Sequence, residues 1–288
     1  MVRYAKPANL DEALALLGEA PWRILAGGTD FYPALASRPL TENVLDINAL
    51  AALRGISETA SHIVIRARTT WTDIIRQPLP PCFEALKQAA REVGSVQIQN
   101  MASIAGNLCN ASPAADGVPA LMILDAEVEL RSAQAARHLP LGKFILGNRR
   151  TALQPGEMVT AVRIPKAATD GASNFQKLGA RRYLVISIAM AAARITIDKE
   201  GVVEAAAVAV GSCSVVAQRL AGLEASLLGL RPSDIADSVA SADLNALRPI
   251  EDVRGSADYR REAAREIVLR AVTAAANCAV DPAPMEAA

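Results

Sequence analysis

Asn9 precedes apolar positions Leu10, Ala13, Leu14 and Leu17, spaced by three and four, with Asp11 and Glu12 in the first turn and Gly18 at the end. That pattern predicts an amphipathic helix over residues 10–18, with Asn9 as its cap and the early acids at the positive end of the helix dipole. Residues 22–26 read as a strand that stops abruptly at Gly27-Gly28-Thr29-Asp30, after which residues 31–37 can open another helix. Residues 43–47 and 62–66 have strand character, and residues 82–93 carry the 3.6 period of a helix. Residues 127–131 alternate as a half-exposed strand does, and residues 158–164 form a further strand ended by Pro165. Residues 166–173, rich in Ala, Asp, Gly and Ser, have linker chemistry. Beyond them, residues 186–198 and 202–211 predict two long strands around a Lys199-Glu200-Gly201 turn. The period then changes: residues 217–228, 232–240 and 257–276 favour helix, the last with Arg and Glu four apart. The C-terminal third is therefore an α+β unit of its own, followed by a loose tail over residues 280–287.

One segment departs from the amphipathic pattern. No Asp, Glu, Lys, Arg or His occurs in residues 93–115, yet Ser95, Gln97, Gln99, Asn100, Ser103, Asn107, Asn110 and Ser112 are interleaved with apolar residues. Such a neutral, hydrogen-bonding stretch suits a position deep in the protein against a polar ligand.

Composition narrows the classes. The 288 residues make about two domains at roughly 150 residues each. Apolar residues are 51% and charged residues 21%, the mixture of an ordinary globular protein. Thirty basic residues cancel thirty acidic ones, which removes the electrostatic footprint of a nucleic-acid or anionic-membrane binder. With aromatics at 3%, base-stacking platforms are not expected, and the core must be built from Ala, Leu, Val and Ile. Cys82, Cys109, Cys213 and Cys278 lie far apart without a C-x-x-C, so no zinc or iron-sulfur site is expected in this chain. The start lacks the apolar run of a secretory signal, and the uncharged stretches are too broken to insert in a membrane, so a cytoplasmic location with free thiols is expected.

Three features can carry chemistry. Paired glycines after a strand, as in Ala26-Gly27-Gly28-Thr29-Asp30, let a diphosphate approach backbone N–H groups, or they make an ordinary tight turn. They fit neither G-x-G-x-x-G nor the P-loop. Ser103-Ile104-Ala105-Gly106-Asn107-Leu108 is either a second such loop or a buried loop satisfied by its own side chains. Asp116, the first charge after the neutral segment, can accept from a ligand hydroxyl or cap a helix over residues 118–124. Neither His62 nor His138 has a partner that sequence places beside it, so no hydrolytic triad and no catalytic residue is assigned. Cys109 is expected to be a small buried residue.

Together these stretches, with Asn110-Ala111-Ser112-Pro113-Ala114-Ala115-Asp116, Asn174-Phe175-Gln176-Lys177-Leu178-Gly179-Ala180-Arg181-Arg182 and Asp258-Tyr259-Arg260-Arg261, resemble the FAD-binding medium subunits of the molybdenum hydroxylases. This is the family of the xanthine dehydrogenase and carbon monoxide dehydrogenase flavoproteins. The resemblance implies an α+β fold with a two-subdomain FAD-binding domain of the vanillyl-alcohol-oxidase-like (PCMH) type at residues 1–168, its subdomains near 1–55 and 56–168. An antiparallel sheet with helices would follow at residues 169–288. By resemblance Ile24, Leu25, Ala26, Gly27, Gly28, Thr29, Asp30 and Phe31 wrap the FAD diphosphate together with Ser103, Ile104, Ala105, Gly106 and Asn107. Asp116 would lie on the ribityl or adjacent hydroxyls, Val159 would give a backbone or apolar contact, Lys177 would reach the flavin, and Val93 occupies a ring-shielding position. Where the family has two consecutive glycines in the second loop, this chain has Ala105-Gly106, a crowding methyl if φ is positive there.

The function implied is electron transfer: a large molybdopterin subunit oxidises substrate, a small [2Fe-2S] subunit relays electrons, and FAD in this chain delivers them to an external acceptor. The expected assembly is a dimer of heterotrimers, without nucleic acid. Two other readings remain open, a self-contained flavoprotein oxidoreductase on the same fold and an assembly adaptor without FAD.

Overall fold

The Asn9 side chain accepts a hydrogen bond from the Glu12 N–H at 2.9 Å, and the Glu12 carboxylate accepts from the Ala8 N–H at 2.8 Å, which fixes the start of the helix Leu10–Glu19. Its buried face, Ala13, Leu14 and Leu17, packs on Leu45, Ile47, Leu50 and Leu53. The sheet beneath has three parallel strands in the order Tyr4–Ala5, Val44–Asp46, Arg23–Leu25. These elements belong to a computed structural model in which residues 2–281 are described.

A second unit is organised on the strand Met158–Pro165, central in five antiparallel strands ordered Ile56–Glu58, His62–Arg66, Met158–Pro165, Glu127–Arg131, Ala136–Pro140. Ile65, Val128, Leu130, Val162 and Ile164 of this sheet share one core with Trp71, Phe83, Leu86, Ile104, Leu108 and Leu121 of the helices between the strands. The helix Trp71–Arg76 starts on a reciprocal capping box between Thr70 and Asp73.

The third unit is a four-stranded antiparallel sheet, Ala172–Leu178, Ala189–Ile197, Val203–Gly211, Gln218–Arg219. Its second strand shows how the units join. Ala189, Ala191, Ala193 and Ile195 face a core completed by Ile267, Val268, Ala271 and Val272 of the helix Ala257–Val280. The alternate residues Met190 and Ala192 belong to the core of the second unit. A strand apolar on both faces is buried on both, so second and third units are welded through a sheet of small side chains. The first unit is joined to the second less extensively: its own apolar cluster takes in Met158 of the strand Met158–Pro165.

Several boundaries differ from those the sequence predicts. The linker expected at 166–173 shrinks, because residues Lys166–Ala168 form a 3-10 turn and Ala172 already begins a strand. Ser173 is buried, its hydroxyl donating to Cys82 O at 2.7 Å and accepting from the Ala85 N–H at 2.8 Å, a tertiary arrangement that local composition does not reveal. The helix expected at 217–228 is preceded by the edge strand Gln218–Arg219 and runs Ala221–Leu227, and Pro232 opens a 3-10 turn before the helix Ile235–Ser241. The last helix continues to Val280, so the expected tail loses its first residue, and residues 282–287 of it lie outside the described residues. The neutral segment is not uniformly deep: it folds into two short helices, Val96–Met101 and Ile104–Asn110, and Val96 and Met101 are exposed at 64% and 54%.

Candidate functional site

The strand Arg23–Leu25 runs into Gly27, whose absent side chain is a steric requirement. A Cβ there would stand 1.8 Å from the Met101 carbonyl oxygen. Gly28 follows at φ +74°, the left-handed region that glycine enters at least cost. Among the described residues, no protein acceptor bonds the backbone N–H of Gly27, Gly28 or Thr29. Three successive donors left open beside a cavity form a cradle for an anion.

The second glycine stretch is a helix start and not a loop. Ser103 caps the helix Ile104–Asn110, accepting from the Gly106 N–H at 3.2 Å, while Thr69 O and Ala67 O take the N–H groups of Ile104 and Ala105 at 3.0 and 3.2 Å. Ala105 thus sits in a helical turn with its side chain in the core, and it is not among the residues with positive φ. The paired glycine of the family pattern is not required by the backbone here, because a helical φ at position 105 carries a side chain without strain. Gly106 is exposed, and a Cβ on it would meet only Ser103 Oγ, at 3.0 Å.

Both stretches face one cleft of about 1160 Å³ between the first unit and the second. Of the residues singled out from sequence, Ile24, Ala26, Gly27, Gly28, Thr29, Asp30, Phe31, Val93, Ser103, Ala105, Gly106, Asn107 and Val159 line it. Leu25, Ile104, Asp116 and Lys177 do not. Leu25 and Ile104 point into apolar cores behind the two glycine stretches. The alternation of a strand and the period of a helix turn those two side chains inward while their neighbours face the ligand.

Asp116 and Lys177 are engaged with each other. Lys177 Nζ donates to Asp116 Oδ2 at 2.7 Å, Ser187 Oγ donates to Asp116 Oδ1 at 2.6 Å, and both charged side chains are buried. Burial pushes the Asp116 carboxyl up, against the pull of the Lys177 ammonium and the Ser187 hydroxyl. Asp116 makes no capping hydrogen bond to the helix Gly117–Met122, so the capping role read from the sequence does not describe its contacts. Lys177 Nζ also approaches Glu92 O at 3.4 Å, which ties the pair to the turn carrying Val93.

Sequence reasoning missed the far wall, where Gln134, Gln154, Pro155, Gly156 and Glu157 line the cleft, and it missed Trp71 on the floor. Nothing local marks them: Gln134 and residues 154–157 lie in turns between strands, and Trp71 opens a helix. Cys109, expected to be buried, is exposed and lines the cleft. Its place on the helix Ile104–Asn110, three residues after the cleft-lining Gly106, brings it to the ligand side. His62 and His138 lie 3.7 and 3.4 Å from Glu127 and Glu129 on the five-stranded sheet, outside the cleft lining.

The cleft suits a dinucleotide. It lies between two units, is lined by glycine backbone and a mainly uncharged set of side chains, and is bordered by polar atoms that lack partners. Asn107 Oδ1 and Trp71 Nε1 are buried without a hydrogen bond, although both residues line the cavity. Buried polar atoms in a folded protein are normally paired, so an orphaned acceptor and an orphaned donor beside one cavity point to a polar ligand. Among the described residues no group of His, Cys, Asp and Glu is arranged to hold a metal ion, and no helix is long and apolar enough to cross a membrane.

Comparison with known proteins agrees with this geometry. Residues 1–167 match the family model described as the FAD binding domain in molybdopterin dehydrogenase, and residues 174–275 match the CO dehydrogenase flavoprotein C-terminal domain. The chain is 32% identical to the carbon monoxide dehydrogenase medium chain of Hydrogenophaga pseudoflava, over 96% of this chain and 98% of the relative. Its structure superposes with a TM-score of 0.88 on a chain of reconstituted CO dehydrogenase from Oligotropha carboxidovorans, at 29% identity over 96% of this chain and 98% of that one. It superposes equally, at 0.88, on a chain of quinoline 2-oxidoreductase from Pseudomonas putida 86, at 27% identity over 97% and 98% of the two chains.

Proposed function

The chain belongs to the molybdenum hydroxylase family as an FAD-binding subunit of an oxidoreductase, and from that membership we propose that it receives electrons from iron-sulfur clusters in a partner subunit and delivers them through FAD to an external acceptor. Bound FAD supplies both one-electron and hydride chemistry, which is what joining single-electron carriers to a two-electron acceptor requires. The observation that carries the reading is the convergence of the Gly27-Gly28 and Ser103-Gly106 stretches on one cleft.

In this reading the open N–H groups of Gly27, Gly28 and Thr29 bind the diphosphate, and Gly106 leaves room for it on the opposite side. Asn107 and Trp71 offer their unpartnered atoms to polar edges of the cofactor. Ile24, Ala26, Asp30, Phe31, Ser103, Ala105 and Val159 complete the walls. Leu25 and Ile104 act from the cores behind, and the Asp116–Lys177 pair holds the Val93 turn that borders the ring-binding end. Residues 1–168 then form the flavin-binding domain, with subdomains meeting near residue 55, and residues 169–288 the domain that packs against its second unit. Substrate oxidation belongs to a large molybdopterin subunit, electron relay to a small [2Fe-2S] subunit, and the whole is a dimer of heterotrimers in the cytoplasm. The names of the relatives, a CO dehydrogenase and a quinoline oxidoreductase, support a substrate chosen outside this chain.

Native purification tests this directly. The expected result is a yellow complex in which this chain co-elutes with a molybdenum-containing large subunit and an iron-sulfur small subunit, with flavin stoichiometric to this chain. A colourless complex would favour the adaptor reading, and a yellow, catalytically competent single chain the self-contained enzyme.

A further inference from the structure

The cleft proposed for a diphosphate is poor in available positive charge. Its ionisable lining residues include Glu19, Asp30 and Glu157, against Arg23, and Arg23 already pairs with Glu42 at 3.1 Å. Behind the Gly27 backbone lies a second, small cavity of about 50 Å³, lined by Asn48, Arg54, Arg68, Thr70, Asn100 and Met101. Ala26, Gly27 and Ser103 line both cavities, so the partition between them is one backbone thick there. The side-chain-free Gly27 permits that thinness, because its α-carbon is packed flat on the Met101 carbonyl.

Arg68 stands on the far side of this partition. Its guanidinium donates to uncharged oxygens, Leu50 O at 2.9 Å and Asn48 Oδ1 at 3.3 Å. Asp46, whose field it feels, is occupied by the Tyr4 hydroxyl at 2.6 Å and the Asn48 N–H at 2.8 Å. Its neighbour Arg54 is paired bidentately with Asp73. Burial and the Arg54 charge both push the Arg68 pKa down, the signature of a cation held without a full counter-charge.

Asn48 connects this cation to the cradle. Its Nδ2 donates to Ala26 O at 2.8 Å, which draws the Ala26 carbonyl toward the small cavity. In a trans peptide the N–H points opposite to the C=O, so the Gly27 N–H is turned toward the cleft. We propose that Arg68 and Asn48 are positioning residues for the FAD diphosphate: Asn48, oriented by Arg68, aims the Gly27 N–H, and Arg68 supplies through the glycine partition the positive charge that the cleft lining lacks. The inference rests on the flavin reading above and adds to it residues that never touch the cofactor.

The full chain, purified with the subunits that accompany it and stripped of flavin, is titrated with FAD at rising sodium chloride, and ADP and adenosine are compared as competitors. Arg68→Met raises the FAD dissociation constant about tenfold, equivalent to about 1.4 kcal/mol, flattens its salt dependence, and reduces the advantage of ADP over adenosine. Arg68→Lys keeps the charge and stays within about threefold of wild type with its salt dependence intact. Asn48→Ala weakens FAD about fivefold without changing the salt dependence, because the charge remains. Thermal melting of the flavin-free proteins separates these effects from unfolding, and if Arg68→Met melts early the other two variants decide. Wild-type affinity and salt dependence in Arg68→Met, or a loss in Arg68→Lys as large as in Arg68→Met, overturns the inference while leaving the flavin reading in place. No FAD uptake by the wild-type chain overturns the flavin reading, and this inference with it.

Discussion

Gly27 and Gly106 look alike in the sequence and differ in what they tolerate. A methyl on Gly27 collides with the Met101 carbonyl, a backbone group with nowhere to move, so Gly27→Ala is expected to destabilise the flavin-free chain by about 3 kcal/mol. Gly106 opens on the cleft, so Gly106→Val should leave stability within about 1 kcal/mol and abolish flavin retention. Urea denaturation and the flavin absorbance of each variant check the pair, and equal stability losses would refute the distinction. The Asp116–Lys177 pair makes another residue-level test. Removing one partner leaves a buried, uncompensated charge, so Asp116→Ala should cost about 3–5 kcal/mol even without flavin, whereas Asp116→Leu with Lys177→Met should cost far less. Nothing in the sequence pairs these two, since 61 positions separate them.

At the scale of elements, the helix Ala257–Val280 is anchored by a buried arginine. Arg260 donates to Ile188 O at 2.6 Å and to Asp252 Oδ1 at 2.7 Å, joining the helix start to the residue that leads into the strand Ala189–Ile197 and to the loop before the helix. Arg254, through its side chain and backbone, and then Arg260 hold the Asp252 carboxyl well below the usual carboxylate range. A carboxylate with a depressed pKa stabilises the fold fully above its unfolded value, here 3.8, and loses that contribution as pH falls below it. Asp252→Asn should therefore lower the melting temperature at neutral pH, with the gap to wild type closing as pH drops below 3.8. A gap independent of pH would refute the ion-pair role. The amphipathic helix after Asn9 and the long strands after residue 186 were legible because their periodicity is local. The strand Gln218–Arg219 and the early start at Ala172 were not, because pairing partners and Ser173's contacts are distant in sequence.

For the whole molecule, the second and third units share a core, and the first borders the cleft with the second. A ligand bridging that cleft stabilises the closed arrangement by mass action, about 2.7 kcal/mol at a hundredfold excess over its dissociation constant. Hydrogen exchange should show protection gained on FAD addition in residues 10–31 and 103–110, with the strands at 189–211 unchanged. Uniform protection across all three units would argue against a cleft between them as the binding site. The sequence by itself determined the class of fold, the order of its main elements and the two side-chain-poor stretches, because periodicity and the absence of a Cβ are properties of residues and their near neighbours. Tertiary structure alone decided that those stretches meet, that Ala105 is harmless in a helical turn, that Asp116 and Lys177 neutralise each other, and that Arg68 stands behind Gly27. Each of these depends on contacts between segments far apart along the chain, whose distances only the packed fold sets.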